Sequence, residues 1–281
     1  MVKKWFAVIG DPIAQSMSPR MHDIWFEENG IDATYVPIRA KRGQLENAIT
    51  SLRTLGCSGW NVTVPHKSDI LTTLSHIDVA AKHMEAVNTV TIGQDGKLSG
   101  FNTDGIGFVA ALEEHYGTHR KEDKILIIGA GGAAKGIAFA LYNSGYGSIT
   151  FTNRTLTNAQ LVSDRLPDSS VLSIDEAQKN LGRFGIIVQT TTVGMAFADS
   201  GMPLDPSNVL PGTAVIDIIY NPIETQFLSV AKERGALVSN GIGMFVHQGA
   251  RSFERWTGIY PDTAGMITRL TQQLEDQYAN K

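Results

Sequence analysis

Short apolar runs alternate along the chain with stretches of helical periodicity, which is the pattern of a protein built from both strands and helices. The apolar runs predict strands over residues 4–9, 33–38, 59–64, 86–92, 97–101, 125–128, 148–153, 171–174, 184–189, 213–220 and 236–239. Apolar residues three or four positions apart predict helices over 19–28, 43–55, 68–74, 78–85, 104–116, 134–141, 155–166, 225–234, 244–256 and 263–278. This order of elements predicts an α/β fold.

The second part of the chain has the more regular order. From about residue 105 onward strand and helix follow one another, which requires right-handed crossovers and a parallel sheet. The residues before it include a hairpin predicted at Gln94-Asp95-Gly96 and are numerous enough for a domain of their own. We therefore predict a first domain over 1–104 and a second over 105–242, with the functional site in a cleft between them.

Composition and charge narrow the class of protein. Of the 281 residues, 42% are hydrophobic and 19% charged, and the formal net charge is −4. We find no apolar run long enough for a membrane span, no signal peptide before the first strand, and no basic block that would indicate a nucleic-acid partner. The single cysteine, Cys57, excludes an internal disulfide and fits a reducing compartment. The histidines form no metal-binding motif, so we expect a cytoplasmic enzyme or binding protein without a metal.

A glycine-rich turn lies between the strand at 125–128 and the helix that follows it. Gly129 allows a tight turn, Gly131 lets the backbone approach a pyrophosphate, and Ala134 is small enough for close packing of helix on strand. The start of the helix offers unpaired N–H groups to phosphates. Because the next strand follows at 148–153, we interpret this motif as a dinucleotide-binding turn.

The end of that next strand indicates which dinucleotide is bound. NAD enzymes usually place an acid there for the ribose 2′-hydroxyl, whereas this chain has Asn153-Arg154-Thr155. A guanidinium can hold a 2′-phosphate with two hydrogen bonds, and Thr155 adds a hydroxyl and can cap the next helix. The alternative is a solvated arginine beside a helix cap. We predict NADP.

Two serines at the start of the first helix are candidate ligand contacts. Ser18 precedes Pro19 at the predicted first helical position, so its role can also be helix capping alone. Ser16 has no such structural role. Hydroxyls at a helix start can donate to a carboxylate.

Polar residues also follow the strand at 59–64. Asn61 and Thr63 share one face of it, and Lys67 follows its carboxyl end, which is where open α/β sheets bind ligands. The alternatives are a polar sheet face and a solvated lysine. Asp104 begins the helix at 104–116. Considered without the other polar residues, it is predicted to be the N-cap of that helix.

These stretches together resemble the shikimate dehydrogenase family over nearly the whole chain. The matching pieces are Ser16-Met-Ser18-Pro19, Asn61-Val-Thr63-Val-Pro65-His-Lys67, Ala86-Val-Asn88-Thr, Asn102-Thr-Asp104, Gly129-Ala-Gly-Gly-Ala-Ala134, Asn153-Arg154-Thr155, Asp217-Ile-Ile-Tyr220-Asn-Pro222 and Gly241-Ile-Gly-Met-Phe-Val-His-Gln248. Each piece is weak evidence alone, but eight in the right order are specific.

The resemblance implies a fold and a reaction. The fold has an N-terminal substrate domain, a Rossmann-type NADP-binding domain, and C-terminal helices (about 243–281) that return to the first domain. The reaction is the reversible NADPH-dependent reduction of 3-dehydroshikimate to shikimate in aromatic amino acid biosynthesis, with Lys67 and Asp104 as the catalytic pair. The implied substrate contacts are Ser16, Ser18, Asn61, Thr63, Lys67, Asn88, Asp104, Tyr220 and Gln248. The implied cofactor contacts are Gly129, Ala130, Gly131, Gly132, Ala133, Asn153, Arg154, Thr155, Asn158, Ile218 and Gly241.

Two positions depart from the family pattern. NADP-using relatives often carry a further basic residue where this chain has Asn158, and Asn is common where Gln189 stands. The first alternative is a quinate/shikimate dehydrogenase that uses NAD or NADP, because the small side chains of Ser16 and Ser18 alone do not exclude the additional hydroxyl of quinate. A non-catalytic ligand sensor is the second, although such a protein should have lost Lys67 or Asp104. We expect a monomer or a homodimer.

Overall fold

The computed structural model describes residues 3–196 and 201–279 of the chain. These residues form two compact units. The first unit comprises the residues up to Asp104 together with Val246–Met266, and the second comprises Gly105–Phe245 together with the residues from Ile267 on. Each unit has its own sheet, and the α/β fold class is confirmed.

The first unit contains a six-stranded sheet of mixed direction. Its strands are β1 (Lys4–Gly10), β2 (Ala33–Arg39), β3 (Gly59–Val62), β4 (His76–Ile77), β5 (Thr89–Ile92) and β6 (Leu98–Phe101), in the order β2-β1-β3-β5-β6-β4. Strands β1, β2 and β3 are parallel, whereas β5 is antiparallel to β3 and β6. The carboxyl ends of β1, β2 and β3 therefore lie at one edge of this sheet.

Three helices belong to this part of the chain: α1 (Ser18–Glu28), α2 (Leu45–Thr54) and α3 (Val79–Met84). On one face of the sheet, Ala7 and Ile9 of β1 pack with Trp60 of β3 and with apolar residues of α2. On the other face, the ring of Phe6 stacks on that of Phe26 from α1, with 5.2 Å between centroids. Successive residues of β1 thus point to opposite faces, and both faces are buried.

The second unit contains a parallel sheet of six strands. They are β7 (Ile125–Ile128), β8 (Ile149–Thr152), β9 (Ser170–Leu172), β10 (Ile186–Gln189), β11 (Ala214–Asp217) and β12 (Leu237–Ser239), in the order β12-β11-β10-β7-β8-β9. The direction of winding reverses at β7, whose neighbours are β8 and β10. A ligand of an open α/β sheet binds outside the carboxyl ends at such a point.

The helices of the second unit cover both faces of its sheet. They are α4 (Asp104–Tyr116), α5 (Gly132–Asn143), α6 (Leu156–Ser163), α7 (Ile174–Lys179) and α8 (Gln226–Glu233). Ile125 and Ile127 of β7 belong to one apolar cluster, whereas Leu126 and Ile128 belong to the cluster on the opposite face. The four apolar residues in a row therefore form a strand buried on both sides, as predicted.

Two helices end the chain, α9 (Ile242–Thr257) and α10 (Thr263–Ala279). Within the first unit, Trp256 of α9 lies 4.9 Å from the Phe6 ring. The resemblance places the C-terminal helices (about 243–281) with the first domain. In the structure Val246–Met266 groups with the first unit and most of α10 with the second. Its residues Ile267 and Thr271 line a cavity of about 400 Å³ with residues of α4 and β12.

Several short elements differ from the predicted ones. Residues 69–73 form a 3₁₀ helix rather than part of an α-helix, and the two-residue strand β4 and helix α7 were not predicted. Helix α7 begins with a capping box in which Ser173 and Glu176 bond each other's backbone N–H groups. These elements are too short for a periodic pattern to be visible.

Two features are absent from the part of the chain that the structure describes. Within 3–196 and 201–279, no helix combines the length and the apolar character that crossing a bilayer requires. In the same residues, no three or more His, Cys, Asp and Glu side chains are grouped so that they could hold a metal ion.

Candidate active site

A turn after β3 carries Lys67. The Thr63 N–H donates to the Ile9 carbonyl over 2.9 Å, and the Thr63 carbonyl accepts from the His66 N–H over 3.0 Å. The buried ring of His66 places Nε2 2.7 Å from the Ala40 carbonyl oxygen, just after β2. The turn is therefore attached to the ends of two neighbouring strands, and this fixes the backbone that precedes Lys67.

Lys67 and Asp104 form an ion pair within the first unit. The Nζ of Lys67 lies 2.6 Å from Oδ2 of Asp104, which is the length of a charge-assisted hydrogen bond. The side chains are 33% and 15% exposed, so a ligand can reach them. Asp104 is the first residue of α4, and its N–H donates to Oδ1 of Asn102 over 2.9 Å. The interpretation of Asp104 as only a helix cap is therefore wrong.

Asn88 binds the second oxygen of the Asp104 carboxylate. Its Nδ2 lies 2.9 Å from Oδ1 of Asp104 and 3.4 Å from Oε1 of Gln248. Its own Oδ1 accepts from the Thr103 N–H over 2.9 Å. Because a backbone N–H can only donate, this contact identifies which atom of the amide is the oxygen. Four predicted site residues, Lys67, Asn88, Asp104 and Gln248, thus lie in one group.

Asn61 lies next to this group, and its side-chain amide is hydrogen-bonded to neighbouring residues. Its Oδ1 accepts from the Tyr35 hydroxyl over 2.7 Å, and its Nδ2 donates to the Asn88 carbonyl over 2.9 Å. The same Nδ2 lies 3.1 Å from Thr89 Oγ1 and 3.0 Å from Ser252 Oγ. The amide of Asn61 is therefore used to connect β3 with the segment that carries Asn88.

The two serines lie where α1 begins. Ser18 is the first helical residue, the cap position belongs to Met17, and no side chain makes a cap hydrogen bond there. The interpretation of Ser18 as N-cap is therefore wrong. The hydroxyl of Ser16 instead accepts from the Ser18 N–H over 3.3 Å. Both serines thus sit at the helix start, Ser16 half-buried and Ser18 buried.

The glycine turn of the second unit follows β7 at the point where the winding reverses. Gly129 has a φ of +119°, and a Cβ there would lie 2.4 Å from Thr190 Oγ1, so only glycine fits. Gly131 and Gly132 are exposed, and an added Cβ at either would meet nothing within 4 Å. Helix α5 also starts without a side-chain cap. Open space in front of uncapped N–H groups fits the phosphates of a dinucleotide.

The segment after β8 presents the residues predicted to select NADP. Arg154, Thr155 and Asn158 are exposed, and Asn153 Nδ2 donates to the Thr155 carbonyl over 2.8 Å. Thr155 occupies the cap position of α6, but its side chain makes no cap hydrogen bond, so the predicted capping role is wrong. Within 3–196 and 201–279, Arg154 has no ion-pair partner. Its guanidinium is therefore available to an anionic ligand.

Ile218 and Gly241, the residues predicted beside the nicotinamide, touch one another. A Cβ on Gly241 would lie 2.0 Å from the Ile218 carbonyl oxygen, and the Gly241 N–H donates to the Ile219 carbonyl over 2.9 Å. Tyr220 follows within the second unit, where its ring centroid lies 5.2 Å from that of Phe245. Burial raises the pKa of the Tyr220 phenol above its ordinary value, so the hydroxyl stays a neutral donor.

Gln189, the second departure from the family pattern, holds the loop after β10. Its Oε1 accepts from the Thr191 N–H over 2.6 Å, and its Nε2 donates to the carbonyls of Thr191 and Val193 over 3.2 Å and 3.1 Å. The side chain is buried. It therefore shapes this loop from inside and does not point toward a ligand.

Sequence reasoning missed several residues that support the site. Asn102 and Thr103 lay inside a quoted motif, and an Asn two positions before a helix start is a recognisable turn signal. Thr89 likewise lay inside the quoted motif Ala86-Val-Asn88-Thr. Tyr35 and Ser252 gave no signal, because each is an ordinary polar residue in a strand or helix. The contacts of these last three residues with Asn61 join β2, β5 and α9, which only the tertiary structure brings together.

Family models match three stretches of the chain. Residues 8–90 match the shikimate dehydrogenase substrate binding domain, residues 111–205 match shikimate / quinate 5-dehydrogenase, and residues 241–271 match the shikimate 5′-dehydrogenase C-terminal domain. The three stretches follow the same order as the motifs and together cover most of the chain.

Individual relatives extend the similarity to the full length. Shikimate dehydrogenase (NADP(+)) of Lysinibacillus sphaericus is 50% identical over 273 residues, which is 97% of this chain and 99% of the relative. A crystal structure of a shikimate dehydrogenase in complex with NADP+ is 35% identical, with a TM-score of 0.90 over 97% of this chain and 96% of that one. Shikimate 5-dehydrogenase from Listeria monocytogenes, in complex with shikimate and NAD, is 31% identical, with a TM-score of 0.88 over 95% and 96% of the two chains.

Proposed function

Because this chain belongs to the shikimate dehydrogenase family, we propose that it catalyses the reversible NADP-dependent interconversion of 3-dehydroshikimate and shikimate. The observation that carries the proposal is the Lys67–Asp104 pair, in which an ammonium and a carboxylate meet over 2.6 Å at a partly exposed position. A non-catalytic sensor has no need of such a pair, and its presence disfavours that alternative.

Lys67 is proposed to act on the reacting oxygen. Reduction of a ketone places negative charge on its oxygen, and a positioned ammonium both stabilises this charge and donates the proton. In the reverse direction the same nitrogen takes up the hydroxyl proton. Asp104 holds the ammonium in place and offers its carboxylate to a neighbouring ring hydroxyl. NADP(H), when bound, supplies or accepts the hydride.

The remaining substrate contacts are proposed according to the groups of the ring. Ring hydroxyls need both donors and acceptors, which the amides of Asn88 and Gln248 and the hydroxyl of Thr63 provide. Asn61 is assigned to the same set by the resemblance, and in the structure its amide hydrogen-bonds to four protein groups. The carboxylate is assigned to the hydroxyls of Ser16, Ser18 and Tyr220, which are neutral donors. This location suits an anion because Ser16 and Ser18 stand at the start of α1.

The cofactor is proposed to bind to the second unit through three groups of residues. The turn from Gly129 to Ala133, with Ala130 and Gly132, offers backbone N–H groups and open space to the pyrophosphate. Arg154, with Asn153, Thr155 and Asn158, surrounds the 2′-phosphate. Ile218 and Gly241 line the nicotinamide. The donor set fits NADP better than NAD because an exposed arginine, and no acid, follows β8 directly.

An absorbance assay of the full-length chain tests this function. Shikimate and quinate are each offered with NADP+ and with NAD+, and formation of the reduced nicotinamide is followed at its absorbance band. We expect kcat/KM to be highest for shikimate with NADP+. A higher value for quinate with NAD+ would establish the alternative activity. No turnover with any of the four pairs, under conditions where NADP+ binds, would contradict the proposal.

We further propose the cellular compartment, the oligomeric state and the partners of the enzyme. Cys57 is buried, and burial raises the pKa of its thiol to about 11, which suits an inert thiol in a reducing cytoplasm. The expected state is a monomer or a homodimer. The net charge of −4 offers no attraction to nucleic acid.

A further inference from the structure

A line of buried side chains in the first unit ends on the Asp104 carboxylate. We call it the buried polar chain, and its members are Tyr35, Asn61, Ser252, Thr89 and Asn88. They come from β2, β3, α9, β5 and the residue before β5, and all five are buried. Buried polar groups need hydrogen-bond partners, and the low dielectric of the interior strengthens the hydrogen bonds that these five residues make with one another.

The first half of the buried polar chain has a fixed direction. The Tyr35 hydroxyl lies 2.7 Å from Oδ1 of Asn61, and Nδ2 of Asn61 lies 2.9 Å from the Asn88 carbonyl oxygen. A carbonyl only accepts, so this second contact identifies the nitrogen of the Asn61 amide. That nitrogen lies 3.0 Å from Ser252 Oγ. Ser252 therefore accepts a hydrogen bond from Asn61.

The direction of the hydrogen bonds in the second half follows from the number of protons on each hydroxyl group. Oδ1 of Asn88 is an acceptor, and the Thr89 hydroxyl lies 2.8 Å from it, so Thr89 donates its only proton there. Ser252 Oγ lies 2.8 Å from Thr89 Oγ1. Since the Thr89 proton is already used, Ser252 is the donor in this contact, and it shares its single proton between Thr89 and the Gln248 carbonyl, which is more distant at 3.1 Å. Each member thus donates to the next, and Asn88 finally donates to Asp104 over 2.9 Å.

We propose that Ser252 is a positioning residue for the Lys67–Asp104 pair, acting through Thr89 and Asn88. The inference rests on the proposed function. Without the Ser252 hydroxyl, Thr89 keeps only the more distant Asn61 amide, at 3.1 Å, as a donor that turns its proton toward Asn88, and the Asn88 amide is held less firmly against Asp104. Ser252 itself does not touch the ion pair: its other contacts are the Gln248 carbonyl at 3.1 Å and Thr103 Oγ1 at 3.4 Å.

The experiment is a double-mutant cycle measured with shikimate and NADP+. We expect Ser252→Ala to lower kcat about tenfold, the effect of one lost buried hydrogen bond, with an unchanged KM for NADP+. On an Asn88→Ala background the same substitution should change kcat less than twofold. In that background the Asn88 amide, through which Ser252 acts on Asp104, is already missing. The control is Thr257→Ala, which removes a hydroxyl that bonds back along the same helix to Phe253 but lies outside the buried polar chain.

If Ser252→Ala does not fold, a second pair of variants tests the same inference. Thr89→Val removes the next hydroxyl at nearly constant shape and should reproduce the loss of kcat, whereas Thr89→Ser should retain most of the activity. Full kcat in Ser252→Ala or in Thr89→Val, or equal losses on the wild-type and Asn88→Ala backgrounds, would overturn the inference. An inactive wild-type chain would instead refute the proposed function, so the two failures are distinguishable.

Discussion

Gly105 packs directly against the backbone of Gly136. A Cβ on Gly105 would lie 2.3 Å from the Gly136 carbonyl oxygen and 2.8 Å from the Cβ of Ala140. Gly105 belongs to α4 immediately after Asp104, and Gly136 belongs to α5, the helix that starts at the glycine turn. The close approach of these two helices therefore depends on the absence of a side chain at Gly105.

Replacement of Gly105 by Ala should destabilise the protein. In an ordinary helix this change stabilises by up to about 1 kcal/mol, but here the methyl group overlaps a carbonyl oxygen, and overpacking costs about 1–3 kcal/mol. Urea unfolding of Gly105→Ala measures the difference. Gly147→Ala is the control, because a Cβ at Gly147 meets nothing within 4 Å. Equal stability of the two variants would contradict the packing described.

Lys67→Met should remove most of the activity and leave cofactor binding intact. The ammonium is proposed to stabilise and protonate the reacting oxygen, and a positioned acid or base contributes roughly 10²–10⁴-fold. We expect kcat for shikimate to fall by that factor, while the Kd of NADP+ measured by calorimetry stays the same. Lys82→Ala, which removes an exposed lysine of α3, should behave as wild type. Unchanged turnover in Lys67→Met would remove the catalytic assignment.

Arg154→Ala should reduce the preference for NADP over NAD. A charge-assisted bond to the 2′-phosphate is worth about 1.5–3 kcal/mol, so kcat/KM with NADP+ should fall about 10- to 100-fold while that with NAD+ changes little. Steady-state kinetics with both cofactors measure the ratio. Arg183→Ala removes a different exposed arginine of the second unit and serves as control. If the ratio is the same in both variants, Arg154 does not select the cofactor.

Gly131→Ala should impair cofactor binding without destabilising the fold. Nothing lies within 4 Å of an added Cβ, and the φ of −81° is accessible to alanine, so unfolding should change by less than about 1 kcal/mol. The proposed pyrophosphate occupies that space, so the KM for NADP+ should rise about tenfold. Gly147→Ala again provides the control. A variant with normal KM would show that the phosphates bind elsewhere.

Asp217 should make stability depend on pH. Burial at the end of β11 raises the pKa of its carboxyl to about 6, although the Ile219 N–H and the Thr225 hydroxyl donate to it over 2.9 Å and 2.8 Å. Between the ordinary value of 3.8 and about 6, the folded state holds a proton that the unfolded chain has lost. The free energy of unfolding therefore falls as pH rises through this window, by about 3 kcal/mol for this group.

Urea unfolding at pH 4, 5, 6 and 7 checks this sign. The contribution should be absent in Asp217→Asn, whose curve should be flatter than that of wild type over the same window. Asp164→Asn, which changes an exposed acid of the same unit, should keep the wild-type slope. Parallel curves for wild type and Asp217→Asn would mean that the buried carboxyl does not titrate as described.

Much of the fold was predictable because its signals are local. The four apolar residues of β7 and the glycines after them specify a buried strand and a tight turn from their own chemistry. The family resemblance, confirmed by the comparisons, supplied the reaction and the cofactor. The caps assigned to Ser18 and Thr155 were wrong, because α1 begins one residue earlier than expected, with Met17 at the cap position, and the Thr155 side chain makes no cap hydrogen bond.

The sequence by itself determined the order of the elements, the position of the glycine turn and the residue types available to the site, since periodicity and backbone freedom are properties of neighbours along the chain. Only the tertiary structure decided which polar residues meet. Asn61 and Ser252 are 191 positions apart, and their hydrogen bond exists because a strand and a helix pack together. Contacts of this kind leave no local pattern, because the free energy that selects them comes from burying both elements at once.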